Sequence, residues 1–184
     1  MSTIATPTAT TWQIDPTHSH VEFSVRHLMI ATVKGRFAEV TGTLTGDDTE
    51  PEPAALEIAI PAASIDTREP QRDAHLRSAD FFDAEQHPQI RFRSTRIRRV
   101  RDDVFAVEGD LTIRGVTRRI TLTVHRGGRA RDPWGGERIA YSTTTKINRK
   151  DFGLNWNQVL ETGGVLVGDE VTVSIELELV RSSN

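Results

Sequence analysis

Apolar and polar residues alternate along most of this chain, which is the pattern of β-strands with one buried and one exposed face. Residues 20–28 show it most clearly, because every second side chain is apolar. The same period places His27 on the inward face with Phe23, and Glu22 and Arg26 on the outward face. The alternation recurs in residues 56–60, 104–113, 120–124 and 171–179 and, more weakly, in 12–14, 33–44, 90–100 and 139–147.

Short connections rich in glycine, aspartate or proline separate these segments, and several are short enough for hairpins. Many half-buried antiparallel strands at regular spacing favour a barrel or a sandwich. The sequence contains no internal repeat and no flexible linker that would divide it. We therefore expect one all-β domain over residues 11–184, preceded by a flexible polar tail at residues 1–10.

The longest connection in the chain breaks the alternating pattern. Asp66 and Glu69 have the spacing of a helix-capping box, and a proline follows where a first helical turn tolerates it. Asp73 and Arg77 lie four residues apart on another face, in the acid-first order of a helical ion pair. These signals predict a helical segment over residues 71–82.

The composition of this segment suits a cover over one end of a barrel. Long connections in compact domains are usually functional or disordered, and this one carries order-promoting residues. We expect Leu76, Phe81 and Phe82 to close over the barrel and touch a ligand. His75 would then lie at the boundary, within reach of a polar head group.

Two segments near the C-terminus bear on the interior and the mouth of a barrel. Tyr141, Thr143 and Thr145 share one face of a strand with Ile147, so the interior is partly polar there if that face points inward. Residues 150–158 are typical of a tight aromatic loop that could line the barrel mouth.

Composition narrows the class of protein. The chain has 184 residues, a formal net charge of −3 and no cysteine, which excludes disulfides and thiolate chemistry. The arginines of residues 91–101 have the spacing of an outward strand face, so nothing points to nucleic acid. No apolar run approaches the ~20 residues of a membrane-spanning helix. The N-terminus lacks the features of a secretion signal, and we expect a cytoplasmic protein.

Candidate catalytic or metal-binding residues are few. His18 and His20 would project the same way from a strand, but a third ligand at recognisable spacing is missing. Ser19 is not part of a nucleophile elbow. We therefore predict no catalytic residue, no metal site and no cofactor. The pattern leaves His27 open as either a core residue or a polar contact in a ligand cavity.

Three motifs are specific in combination. They are Asp-x-x-His-Ser from Asp15, Arg-Asp-x-His-Leu-Arg-Ser-x-x-Phe-Phe from Arg72, and Gly-Asp-Leu-Thr-x-x-Gly from Gly109. With them, nearly all of residues 12–180 resembles the YceI-like family, lipocalin-like bacterial proteins associated with polyisoprenoid binding. The resemblance implies an extended antiparallel lipocalin-like barrel of about eight strands, a size that can hold one small ligand. It also implies that a homodimer is one accessible state.

The resemblance further implies that a long apolar chain lies inside the barrel, with the helical segment as a side wall or cap. Matching positions become candidate ligand contacts, and Leu76 joins them from the helical pattern. The candidate ligand-binding residues are Phe23, His27, Phe37, His75, Leu76, Phe81, Phe82, Phe92 and Trp156.

We therefore expect a protein that stores, transports or sequesters a long-chain apolar lipid, such as a polyprenyl phosphate or a quinone. Each buried CH₂ contributes about 0.8 kcal/mol, so few polar contacts are needed. One alternative is an enzyme acting on an isoprenoid lipid, with His27 or His75 as acid or base. Another is a structural or stress-related protein with an incidental cavity. Stable membrane insertion is not expected.

Overall fold

A computed structural model describes residues 9–46 and 54–182 of the chain. Most of the tail expected at residues 1–10, and residues 47–53, lie outside the described residues. The described residues include one α-helix, α1 (Pro70–Arg77), and two 3-10 turns, Ala62–Ser64 and Arg149–Phe152. Their strands are β1 (Thr11–Ile14), β2 (His20–His27), β3 (Ala31–Phe37), β4 (Thr41–Thr45), β5 (Ala55–Pro61), β6 (Ile65–Asp66), β7 (Gln89–Arg101), β8 (Val104–Ile113), β9 (Val116–Arg131), β10 (Glu137–Asn148) and β11 (Val167–Arg181).

Eight of these strands close into an antiparallel barrel. The ring runs β1-β4-β5-β7-β8-β9-β10-β11, and β11 returns to pair with β1. The strands β2, β3 and β6 extend the same sheet from β11. The all-β, extended lipocalin-like barrel expected from the sequence is therefore confirmed. No helix among the described residues is long and apolar enough to cross a membrane.

The three extra strands continue barrel strands across irregular breaks. On the edge of β11, Leu179 pairs with Ile14 of β1, and Glu176 pairs with His20 of β2. Residues 15–19 therefore stand opposite only two residues, as in a large bulge. A second break lies between β3 and β4, where the chain leaves the sheet and buries Val40. The single strand predicted over residues 33–44 is therefore wrong.

The helical segment stands where the extended sheet leaves a gap. In the described sheet, β6 pairs with β3 at one end of the strand order, while β7 pairs with β5 and β8. The chain from α1 to β7 leads from the edge strand β6 to β7, which is paired on both sides. α1 ends at Arg77 because Ser78 is extended, so the helix is shorter than the predicted segment of residues 71–82.

The predicted capping box was wrong in its details. The carboxylate of Glu69 caps α1 by accepting hydrogen bonds from the backbone N–H groups of Gln71 and Arg72, at 3.2 and 2.6 Å. Asp66 instead lies in β6 and forms an ion pair with Arg36. Pro70 favours a helix that begins at residue 70 rather than after Asp66, because the first helical position has no use for a backbone N–H donor.

The predicted ion pair of Asp73 and Arg77 was also wrong. Asp73 is buried and accepts hydrogen bonds from the backbone N–H (2.9 Å) and the hydroxyl of Thr67. Arg77 donates to the carbonyl oxygens of Ala63 and Ile65, at 2.8 and 2.9 Å. A buried carboxylate needs close donors, and Thr67 supplies them to Asp73. Together with the hydrogen bonds of Arg77, these contacts tie α1 to residues 63–67.

Candidate functional site

The barrel encloses two adjoining apolar cavities. The larger, of about 180 Å³, lies beside the helical segment, and the smaller, of about 80 Å³, lies beneath β4, β5 and β7–β11. Ile58, Leu122 and Ile175 line both cavities. We call these three side chains the waist, because the two spaces meet there. The interior is therefore suited to an elongated apolar molecule rather than a compact one.

Strand parity explains how β2 contributes to the larger cavity. Val21, Phe23 and Val25 line it, while Glu22 and Arg26 are exposed, as the alternating pattern predicts. A shift of one residue would reverse both faces, so the buried face fixes the register. The same rule directs alternate apolar residues of β11 into the barrel.

The helical segment forms one wall of the larger cavity. Leu76, Phe81 and Phe82 line it. The ring of Phe82 stands edge-on to that of Phe37 at 5.8 Å, and Phe37 contacts Phe23 at 5.7 Å. Such aromatic contacts stabilise beyond simple burial. They join the segment to β3 and β2 across the gap in the sheet.

Two glycines make room for inward phenylalanine rings. A Cβ atom on Gly35 would lie 2.4 Å from Cζ of Phe23. A Cβ atom on Gly109 would lie 2.4 Å from Cζ of Phe92 and 2.6 Å from the carbonyl oxygen of Arg93. Both phenylalanines line the larger cavity, so these glycines help to set its shape.

Strand β10 supplies most of the polar groups of the interior. Tyr141 and Thr143 line the smaller cavity, and Thr145 and Ile147 line the larger one. The hydroxyl of Thr143 donates to the carbonyl oxygen of Thr123 at 2.7 Å. The partly polar inward face predicted for this strand is therefore confirmed.

The sequence reading missed Arg149, a cation beside the larger cavity with 5% of its surface exposed. Its guanidinium donates to the carbonyl oxygens of Leu154, Trp156 (2.9 Å) and Gly168 (2.8 Å). Burial lowers the pKa of Arg149, and the Asp169 carboxylate 3.7 Å away partly offsets this effect. The alternating pattern could have identified it, since the inward positions of β10 recur every second residue and position 149 is the next in that series.

Six of the nine candidate ligand contacts line the larger cavity, whereas His27, His75 and Trp156, all within the described residues, line neither cavity. His27 is half-buried at the end of β2 and pairs with Val167. Its partner Val167 lines the larger cavity, but the side chain of His27 does not. Contact with a ligand stays a prediction for all nine. The six that line the cavity are Phe23, Phe37, Leu76, Phe81, Phe82 and Phe92.

His75 and Trp156 form an aromatic cluster with Phe81. The ring of His75 lies 4.7 Å from that of Trp156 and 5.1 Å from that of Phe81, and Trp156 lies 5.3 Å from Phe81. Nε2 of His75 is 2.8 Å from a carboxylate oxygen of Asp80. Because Phe81 also lines the larger cavity, this cluster covers the cavity wall from outside.

A cluster of charged and polar side chains surrounds the bulge between β1 and β2. Carboxylate oxygens of Asp15 and Glu178 and a nitrogen of His18 lie within 4.8 Å of one another, close enough to hold a metal ion. The Arg138 guanidinium, however, binds both carboxylates, at 2.8 Å to Asp15. Hydrogen bonds from Thr17, His18 and Arg138 hold the pKa of Asp15 well below its usual range. The cluster is explained as an ion-pair network that ties the bulge to β10 and β11.

Comparisons with known proteins agree on one family. The family model of the YceI-like domain matches residues 12–179. A UPF0312 protein of Staphylococcus epidermidis is 36% identical over 170 residues, which are 92% of this chain and 96% of that protein. The crystal structure of a Campylobacter jejuni YceI protein, 30% identical, covers 86% of this chain and 90% of its own, with a TM-score of 0.72.

A more distant likeness concerns the fold alone. A polyisoprenoid binding domain from Saccharophagus degradans, implicated in plant cell wall breakdown, is 17% identical to this chain. It covers 93% of this chain and 98% of its own, with a TM-score of 0.69.

Proposed function

The chain belongs to the family of YceI-like domains, and from that premise we propose that its barrel binds one long-chain apolar lipid of the polyisoprenoid class. The observation that carries this proposal is the pair of apolar cavities that meet at the waist. The Saccharophagus degradans domain that shares the fold is a polyisoprenoid binding domain, which supports the same class of ligand.

Burial alone can supply the affinity. Each CH₂ transferred from water contributes about 0.8 kcal/mol, and the lining offers aliphatic and aromatic contacts over most of its surface. Part of this gain is offset by the lost freedom of the bound chain. Because several isoprene units can share the barrel, the surplus still suffices for tight binding without a charged anchor.

The head group of the lipid would meet the outer side of Phe81. A chain end that leaves the larger cavity there reaches His75 and Trp156, which offer a ring nitrogen and an indole N–H. These donors suit a polyprenyl phosphate or a quinone. The role that follows is storage, transport or sequestration of the lipid by a cytoplasmic protein.

Catalysis on such a lipid has less support. His27 and His75, the two candidate acid–base residues of the described chain, line neither cavity. A general base must come within about 3.2 Å of the proton that it removes. Both residues are therefore out of reach of a group buried in either cavity. Only a head group outside the cavities could meet His75, whose Nε2 contacts Asp80, and we propose a binding role.

The test is mass spectrometry of an organic extract from protein purified without detergent. We expect one long-chain prenyl lipid per barrel. Replacing Phe81 and Phe82 together with serine should strongly reduce the amount of bound lipid per protein. The thermal stability of the lipid-free form should fall much less. The matched control is Trp134→Ser, since that aromatic side chain is exposed.

Three outcomes would count against the proposal. An extract without lipid, together with no uptake of prenols by the wild-type protein, would overturn lipid binding. Full lipid occupancy in the Phe81→Ser, Phe82→Ser variant would mean that the helical segment is only a structural crossover. Turnover of a polyprenyl phosphate would favour the enzyme instead.

A further inference from the structure

Two neighbouring loops expose aliphatic side chains at one end of the barrel. One connects β2 to β3 (residues 28–30), and the other precedes β11 (residues 159–166). We call the two loops the apolar tip. We infer that the apolar tip docks on the surface of a lipid bilayer, where the barrel takes up or releases its cargo. The exchange of cargo rests on the proposed function, whereas the docking itself does not.

Exposed apolar surface is concentrated in the apolar tip. Met29, Ile30 and Val159 are 57%, 79% and 81% exposed, and they are three of the five large apolar side chains that the described residues expose. Single exposed apolar residues are ordinary on protein surfaces, but clusters mark interaction sites. The two loops therefore form a surface that water solvates poorly.

A backbone hydrogen bond and a close side-chain approach hold the two loops side by side. The backbone N–H of Leu28 donates to the carbonyl oxygen of Leu166 at 2.9 Å. Cγ of Met29 lies 3.4 Å from where a Cβ atom on Gly164 would stand. The apolar tip is thus one surface built from two parts of the chain.

The backbone of the first loop makes a tight turn through two positive φ angles. Leu28 and Met29 have φ angles of 53° and 61°, in the left-handed region that residues with a side chain seldom adopt. The Arg26 guanidinium donates to the carbonyl oxygen of Met29 at 2.9 Å and supports the turn. Strain of this kind concentrates at functional positions.

The apolar tip lies next to the end of the larger cavity. Val25 lines the cavity shortly before the first loop begins, and Val167 lines it directly after the second loop ends. His27 pairs with Val167 between these points. A lipid that leaves the barrel here would pass from an apolar interior to an apolar exterior without crossing water.

A bilayer fits this surface better than a second copy of the chain. Three aliphatic side chains on two protruding loops expose far less area than the roughly 800 Å² per partner of a standard protein interface. Insertion of side chains between lipid head groups needs no complementary shape. Arg26 and Glu161, both exposed, bring one charge of each sign, so a zwitterionic surface suits the tip.

The test is flotation of the protein with vesicles of pure phosphatidylcholine. Replacing Met29, Ile30 and Val159 together with serine should lower the fraction bound by at least about tenfold, because binding scales with the apolar area inserted. The control replaces Val100 and Trp134 with serine, since both are exposed apolar side chains outside the tip, at 55% and 87%. This control should bind like the wild type.

Several results would overturn the inference. They are wild-type protein that fails to float, a triple variant that floats equally well, or a wild-type dimer that the triple variant converts to a monomer. Lipid content, measured by mass spectrometry on the same preparations, separates the two proposals. Protein that carries lipid but does not float refutes docking alone. Lipid-free protein that floats through the apolar tip supports docking and counts against the proposed function.

Discussion

Narrowing the waist should shorten the lipid that the barrel can hold. Ile175 lies in β11 between Val21 of β2 and Thr143 of β10, and its side chain borders both cavities. In the Ile175→Phe variant, a ring projects into the place where the two cavities meet. A chain that occupies the larger cavity would then be blocked from the smaller one.

The expected loss follows from the carbon atoms excluded. At about 0.8 kcal/mol per carbon, each five-carbon isoprene unit kept out of the smaller cavity costs up to about 4 kcal/mol. This upper limit corresponds to about a thousandfold in Kd. Overpacking costs typically about 1–3 kcal/mol of stability, and free space at the waist favours the lower end.

The assay is titration of lipid-free protein with a short and a long prenol. The long prenol should lose affinity for Ile175→Phe, while the short prenol, which fits the larger cavity alone, should bind almost as before. Ile175→Leu is the matched control because it conserves volume, and it should bind both prenols normally. Equal losses for both prenols, or no loss for the long one, would refute a ligand path through the waist.

Three further variants test the supports of the barrel. Gly109→Ala should lower stability by about 1–3 kcal/mol in urea unfolding, because its Cβ atom would lie 2.4 Å from a phenylalanine ring, whereas Gly128→Ala, with no atom within 4 Å, should not. Arg138→Met should destabilise the protein most above about pH 4, because the folded-state pKa of Asp15 lies below its unfolded value. The contribution of Asp15 to stability is lost as the pH falls. A stability difference between wild type and variant that stays constant down to about pH 2 would contradict this prediction. Arg149→Lys should speed hydrogen exchange in residues 154–168, since one ammonium cannot satisfy all the carbonyl oxygens that the guanidinium binds. Unchanged protection of these residues would show that the guanidinium does not hold them in place.

The alternating pattern predicted an all-β barrel or sandwich and part of its lining, and the family resemblance selected the barrel. A period of two assigns each strand residue to a face without knowledge of its neighbours. Phe23 was therefore expected inside, Phe92 was expected there from the family resemblance, and both line the larger cavity. The outward positions of Glu22 and Arg26 follow from the same rule.

Other features depend on contacts that a linear pattern does not contain. Parity fixes the face of His27 but not its depth along the barrel, which is set by pairing with β11. The bulge at residues 15–19 depends on the register of β11, whose chain lies far away in sequence. Asp73 was assigned to an ion pair with Arg77 because helical spacing does not show that the backbone of Thr67 lies next to it. These are tertiary effects, which override local propensity.

Lipid binding inside the barrel is tested most directly by the electron density in a crystal of protein purified without detergent. We predict one continuous, elongated density that fills the larger cavity and passes between Ile58, Leu122 and Ile175 into the smaller one. Ordered water in both cavities, or side chains collapsed across the waist, would contradict the proposal.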